Sequence, residues 1–337
     1  MKLKTKELLT ILSKLKPGLA DKSIVEQATH FIFTGKQILT YNDQICIVYP
    51  FETGFHGSVP ARELYKVLSD IKQDEIELSH DEANLIIQSK GTKANLLSHG
   101  GEEILELVKV LKLTSIVWQD LPEGFLEGVF LCMFSASKDV TQPVLSRISV
   151  ADTFINSSDR MRISNYEMQG PIDSPFLLSR NDAQELVKFS ITKYCVGDNW
   201  VYFGMEDGVI FCSRVVKEQY PDTEEYFELE GVRIKLPKDL KQSVDSVLVL
   251  AEGDSDIDKK IDVEIAEGKI RCKGERDVGW IENELDIRYS KEKGIKFSIN
   301  PIFFSQVLEK ATTVICGEER ALFRSGSFKL LVLLYVE

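Results

Sequence analysis

The chain has 337 residues, 43% of them hydrophobic and 28% charged, and a formal net charge of −12. That composition belongs to a folded globular protein and excludes a disordered one, and the length calls for two or three cores. The overall acidity argues against a tight grip on nucleic acid, and no apolar run approaches the roughly 18 residues that a membrane span needs.

Residues from Thr5 to about Lys16 predict a helix, with Leu8, Leu9, Ile11, Leu12 and Leu15 on one stripe and Pro17-Gly18 as its stop. The basic start interrupts its apolar positions with Thr, Ser and Lys, so it is not a secretion signal, and a cytoplasmic protein is expected. A hairpin follows over 31–51, turning at Thr34-Gly35-Lys36 and Tyr41-Asn42-Asp43. Next come a helix over 61–71 and strands over 75–98. The pattern restarts after Trp118-Gln119-Asp120-Leu121-Pro122 with a helix-like stretch over 125–136, a strand–turn–strand over 149–166, a helix around Ala183 and strands over 199–215. It starts again at Leu236-Pro237-Lys238 with a helix over 239–250. Hairpins over 260–274 and 282–300, a helix around Phe304 and strands over 320–336 complete the third pass.

Two markers share one period. Ala61-x-x-Leu64-x-x-Val67, Ala183-x-x-Leu186-x-x-Phe189 and Phe304-x-x-Val307 stand 122 and 121 residues apart, and the opening helices begin near 5, 123 and 238. That period is too long for a solenoid and suits a whole small domain. The expectation is an α+β protein of three related domains, 1–117, 118–225 and 226–337.

Charge is unevenly spread. Lysines 2, 4, 6, 14, 16 and 22 face only Glu7 and Asp21, and the stretch Arg233 to Lys241 opposes four bases to Asp239. Asp222 to Glu230 holds five acids and no base. The six cysteines stand singly in apolar stretches without C-x-x-C spacing, as reduced thiols do. The four histidines form no H-E-x-x-H pair, and no phosphate-cradling glycine loop or nucleophile elbow exists. Asp254-x-Asp256-x-Asp258 has Lys259 and Ile265 where a calcium loop needs Gly and Glu, so it is a solvated acidic turn. Neither metal nor cofactor is expected, and a binding or structural role is favoured over an enzyme.

Several strings carry a resemblance. Asp139-Val140-Thr141-Gln142-Pro143-Val144-Leu145, Tyr220-Pro221-Asp222 and the apolar stretch Phe328 to Val336 resemble, in order and spacing, segments of the bacterial DNA polymerase III β subunit, the sliding clamp. The chain departs from that family at Ser157-Ser158-Asp159-Arg160-Met161-Arg162-Ile163-Ser164 and at its ending, Leu334-Tyr335-Val336-Glu337. The resemblance implies three tandem clamp folds in an arc-shaped protomer, closed as a head-to-tail homodimer into a ring around double-stranded DNA. It implies that the strands around Asn84–Ser89 and Ile270–Gly274 pair across the dimer.

By the same resemblance, Lys14, Lys16, Lys22, Lys66, Lys138, Lys188, Lys193, Lys238, Lys241 and Lys310 would face DNA phosphates without reading sequence. A hydrophobic groove of Leu145, Ser158, Arg162, Ile163, Pro221, Val332, Leu333 and Leu334 would receive peptide motifs of a DNA polymerase and a clamp loader. The alternatives are an enzyme with a site between its lobes and a clamp-like oligomer that is not loaded on DNA.

Overall fold

One element order occurs three times along the chain, in a computed structural model that describes residues 1–22, 25–81, 83–289 and 293–335. Val336, the last residue of the predicted C-terminal strand, Glu337, and residues 82 and 290–292 within two predicted hairpins lie outside the described residues. The first pass runs β1 (Lys2–Lys4), α1 (Thr5–Leu15), β2 (His30–Thr34), β3 (Gln37–Tyr41), β4 (Ile45–Pro50), β5 (His56–Pro60), α2 (Ala61–Asp70), β6 (Glu75–His80), β7 (Asn84–Ser89) and β8 (Thr92–Leu97), then an extra helix α3 (Glu102–Lys109). The second runs β9 (Gln119–Asp120), α4 (Phe125–Cys132), β10 (Arg147–Ser158), β11 (Arg162–Ser179), α5 (Arg180–Leu186), β12 (Ile191–Val196), β13 (Trp200–Met205) and β14 (Ile210–Arg214). The third runs β15 (Arg233–Lys235), α6 (Leu240–Val247), β16 (Ile261–Ala266), β17 (Lys269–Arg276), β18 (Gly279–Asp286), β19 (Ile295–Ile299), α7 (Pro301–Leu308), β20 (Thr313–Cys316), β21 (Arg320–Ser325) and β22 (Phe328–Leu333). Long β10 and β11 shift register between Val150 and Phe154, so this one pair stands where the other passes have four strands. In each pass the opening strand pairs antiparallel with the strand after the second helix: β1 with β6, β9 with β12, β15 with β20.

The chain divides into two compact units. The first holds Met1–Leu121 and Asn181–Lys217, the second Pro122–Arg180 and Glu218–Glu337, so the middle pass gives one half to each. Unit one has a four-stranded sheet, β1-β6-β7-β8, and an eight-stranded sheet, β5-β2-β3-β4-β14-β13-β12-β9. The larger sheet is continuous because β4 pairs with β14 from Ile210↔Val48 to Ser213↔Ile45. One of its faces buries Ile32, Leu39, Cys46, Val48, Tyr202 and Cys212 beneath Ile104 and Val108 of α3 and the adjoining Leu111. Helix α1 buries Leu8, Ile11, Leu12 and Leu15, the stripe its spacing predicts. The Asn42 amide donates to the carbonyls of Pro17 and Leu19, fixing the turn that ends the helix.

Unit two has a six-stranded sheet, β10-β11-β22-β21-β20-β15, and a four-stranded sheet, β18-β17-β16-β19. Helix α7 begins where its residues dictate. Pro301 takes the first turn, and the Asn300 side chain accepts from the backbone N–H groups of Ile302 and Phe303. Strands β16 and β17 turn through Glu267 and Gly268, both at positive φ (55° and 77°), as a two-residue hairpin loop requires.

The structure differs from the sequence expectations at three places. Residues 279–286 and 295–299 do not pair with each other: β18 extends the sheet beyond β17, while β19 pairs with β16 on the far side. Helix α3 was not expected; its pattern is short, and its role is to cover the large sheet. The strands Asn84–Ser89 and Ile270–Gly274 cannot pair with a second chain, because each is already bonded on both sides. The edge strands next to them are β8 and β18; the opposite edges of the same two sheets are β1 and β19.

Candidate functional site

In unit two, the six-stranded sheet has two different faces. Arg162, Val332 and Ala321 are cross-strand neighbours on one of them, and all three are buried. The Phe304 ring packs against Phe323, with 5.7 Å between centroids. On the other face Ile163, Leu331, Leu322 and Ile315 stand in one row, each directly opposite the next. Strand alternation assigns these sets to opposite sides. Phe227 and the half-buried Leu229, from the segment after Tyr220-Pro221-Asp222, pack on that row. They cover it only in part.

What remains open is a groove of about 820 Å³, lined by residues of unit two alone. That volume is within the range of ligand sites and admits a short peptide with a few large side chains. Its floor is Ile163 and Leu331, extended by Leu333 and Met161; its walls include Leu145, Tyr220, Pro221 and Leu229. Leu333 is 41% exposed, a large apolar side chain left facing solvent at the groove. Burial pushes the Tyr220 phenol well above its ordinary range. The corresponding face of the eight-stranded sheet is covered instead by α3 and the partly buried Leu113, Ile116 and Trp118.

Six of the eight expected groove residues line this cavity: Leu145, Ser158, Arg162, Ile163, Pro221 and Leu333. Val332 is fully buried on the opposite face, one residue out of phase with the floor. Leu334 is also buried, its N–H donating to the Glu319 carbonyl. Arg162 borders the groove, but its guanidinium is spent on the helix side. It donates to Asp159 Oδ2 at 2.8 Å, Gln306 Oε1 at 2.6 Å and the Phe134 carbonyl at 2.8 Å, and lies 4.1 Å from the Phe303 ring centroid. Burial lowers its pKa against the opposing pull of Asp159. Sequence reading missed Leu331, Met161, Tyr220 and Leu229; the alternation about Leu333 would have selected Leu331 over Val332.

The ten lysines are distributed over both units. In unit one, Lys14 and Lys16 ride on aromatic rings, 5.6 Å from the Tyr49 centroid and 3.2 Å from the Tyr65 centroid. Lys16 and Lys66 border one cavity together with Arg62, a base the sequence reading passed over. Lys22 and Lys66 are exposed. Lys188 pairs with Glu185 at 2.8 Å. Lys193 is on strand β12, 5.0 Å from the Trp118 centroid, and not on a helix. In unit two, Lys138 and Lys238 are exposed. Lys241 bridges α6 and α7 through Asp245 at 2.7 Å and Glu309 at 3.4 Å. Lys310 stands 4.3 Å from the Phe130 centroid, where burial lowers its pKa. The cations of Lys188 and Lys241 are thus partly neutralised at home.

No protein-family profile and no curated protein matches the chain. Solved structures do, along its whole length. The DNA polymerase III β chain of Streptococcus pneumoniae TIGR4 is 16% identical, with a TM-score of 0.84 over 100% of this chain and 99% of that one. The DNA polymerase sliding clamp of Bacillus subtilis is 14% identical, with a TM-score of 0.83 over 100% and 98%. A sliding clamp of Pseudomonas aeruginosa bound to griselimycin is 13% identical, with a TM-score of 0.85 over 100% and 99%. The chain has the fold of these clamps.

Proposed function

We propose that this protein is a DNA sliding clamp, a polymerase processivity factor that encircles duplex DNA and tethers other proteins. One observation carries the reading: the end-to-end likeness to clamp structures, covering practically all of both chains. The element order repeated three times fits domains at 1–117, 118–225 and 226–337, and two copies would supply six domains to a ring.

Such a ring holds DNA by enclosure, so it needs only weak contacts to phosphates. The exposed Lys22, Lys66, Lys138 and Lys238 suit that task, with Lys14, Lys16, Lys193 and Lys310 next and the ion-paired Lys188 and Lys241 last. The ring would close head to tail by pairing β8 of one copy with β18 of the other. Both are sheet edges; β8 carries Lys93 and β18 carries Glu282, while Glu284 and Asp286 of β18 are already ion-paired with Lys269 and Arg271. A second copy would cover the exposed Leu97 and Trp280, whose solvent exposures are 57% and 63%. The groove at Ile163, Leu331 and Leu333 would take hydrophobic peptide motifs of a polymerase and a clamp loader. The role is non-catalytic and needs no cofactor.

The test begins with sedimentation, where a dimer of the 38.2 kDa chain is expected. Dimers diluted until they dissociate and then reconcentrated with nicked circular DNA should co-elute with it. Cutting that circle once should release them. Equal retention on linear DNA, or a monomer at all concentrations, overturns the proposal.

A further inference from the structure

The walls of the groove are as distinctive as its floor. Asp222, Glu228, Glu230, Glu318 and Glu319 all line it and all are exposed. Among the described residues, none of these five carboxylates has an ion-pair partner within 4.0 Å. Three bases also border the groove. Arg162 is turned away and paired with Asp159. Arg320 donates to the carbonyls of Tyr226 and Glu228, both at 3.4 Å, which pins the wall in position. That leaves Arg160 as the one exposed, uncommitted cation lining the groove among the described residues. An apolar floor is therefore bordered by an excess of negative charge that the protein itself does not neutralise.

We infer that the groove selects an extended peptide whose apolar anchors are flanked by lysine or arginine, the five wall carboxylates holding the flanking cations. The inference rests on the reading of the groove as a peptide dock and adds the chemistry of the partner. An acidic flank would meet several like charges at once, and association would be slowed as well as weakened. Screening confines the effect to flanks within about 8 Å of the carboxylates at physiological salt. The preference belongs to residues next to the anchors and not to the partner's overall charge.

Two fluorescein-labelled peptides test this, sharing two leucines and a phenylalanine, with paired lysines at each end of one and paired glutamates at each end of the other. Fluorescence anisotropy at about 50 mM salt should give the lysine probe an affinity at least about tenfold higher, shrinking to about twofold near 0.5 M. The variant Glu228→Gln/Glu230→Gln/Glu318→Gln/Glu319→Gln should bind both probes to within about twofold of each other. Its circular dichroism and melting, unchanged because these side chains are exposed, verify the fold. Equal binding of both probes to the unaltered protein, or a preference that survives in the variant, overturns the charge selection and leaves the dock intact. Failure of both probes overturns the dock as well.

Discussion

Arg162 separates what holds unit two together from what receives a partner. Arg162 is only 5% exposed, and replacing it with alanine removes its guanidinium and strands three acceptors: Asp159 Oδ2, Gln306 Oε1 and the Phe134 carbonyl. Removing one member of a buried ion pair costs about 3–5 kcal/mol, because the remaining charge keeps its desolvation penalty without a partner. Asp159 is partly protected here, since its Oδ1 also accepts from the N–H groups of Met161 and Arg162, so the lower end of that range is expected. Arg162→Met keeps an apolar stem on the Phe134 and Phe303 rings and should lose about 1–2 kcal/mol less than Arg162→Ala. Urea unfolding followed by circular dichroism measures both. The guanidinium points away from the groove, so Arg162→Met should change the affinity for an apolar peptide by no more than about twofold. A loss below about 1 kcal/mol for Arg162→Ala, or peptide binding abolished in a still-folded Arg162→Met, would refute this division of roles.

Other substitutions probe the remaining surfaces. Leu145→Ala with Leu333→Ala should weaken an apolar peptide about tenfold or more and cost little stability, Leu333 being 41% exposed already; unchanged affinity in a titration moves the dock elsewhere. Leu97→Asp and Trp280→Asp should each shift the sedimenting species from dimer toward monomer, and an intact dimer in both would remove β8 and β18 from the interface. Neutralising Lys22, Lys66 and Lys238 together removes two copies of each from the dimer and should flatten the salt dependence of DNA retention by a slope of up to roughly 5.4, whereas Lys188→Ala should alter it hardly at all. At Asp245, burial pushes the carboxyl up, but the hydrogen bonds from Lys241 and Ser305 outweigh it and hold the pKa below the usual 3.8. A depressed carboxyl stabilises above its unfolded pKa and loses that contribution as pH falls through the folded one. The stability gap between the unaltered protein and Asp245→Asn should therefore be full at neutral pH and close in acid below the unfolded value of 3.8; a gap that widens in acid contradicts the assignment.

The sequence disclosed the repeat because helices written at 3.6-residue spacing and strands written at two-residue spacing are local signals. Thus α1, α2, the β2–β4 meander and the β6–β8 meander stand where their patterns place them. Pairing between distant segments is not local. Nothing in residues 279–299 tells β19 to cross to β16, and nothing in Ile45–Pro50 announces β14 as its neighbour. The groove was legible as a set of segments, Leu145, Ile163, Pro221 and Leu333, and illegible in phase. A one-residue error exchanges Val332 for Leu331 because alternate side chains leave a strand on opposite sides. Arg162 misled for the same reason: its backbone lies at the groove, but its side chain belongs to the helix layer.

The joining of β4 to β14 bears on how the chain can be cut. Stopping at residue 117 would sever the eight-stranded sheet along its middle and leave Ile45 to Val48 of β4, with the buried Cys46, Ile47 and Val48, bare of their neighbour. A bare hydrophobic strand recruits whatever strand it next meets, most often another copy of itself. Fragments shaped by the sequence repeat would therefore precipitate or swap segments between copies.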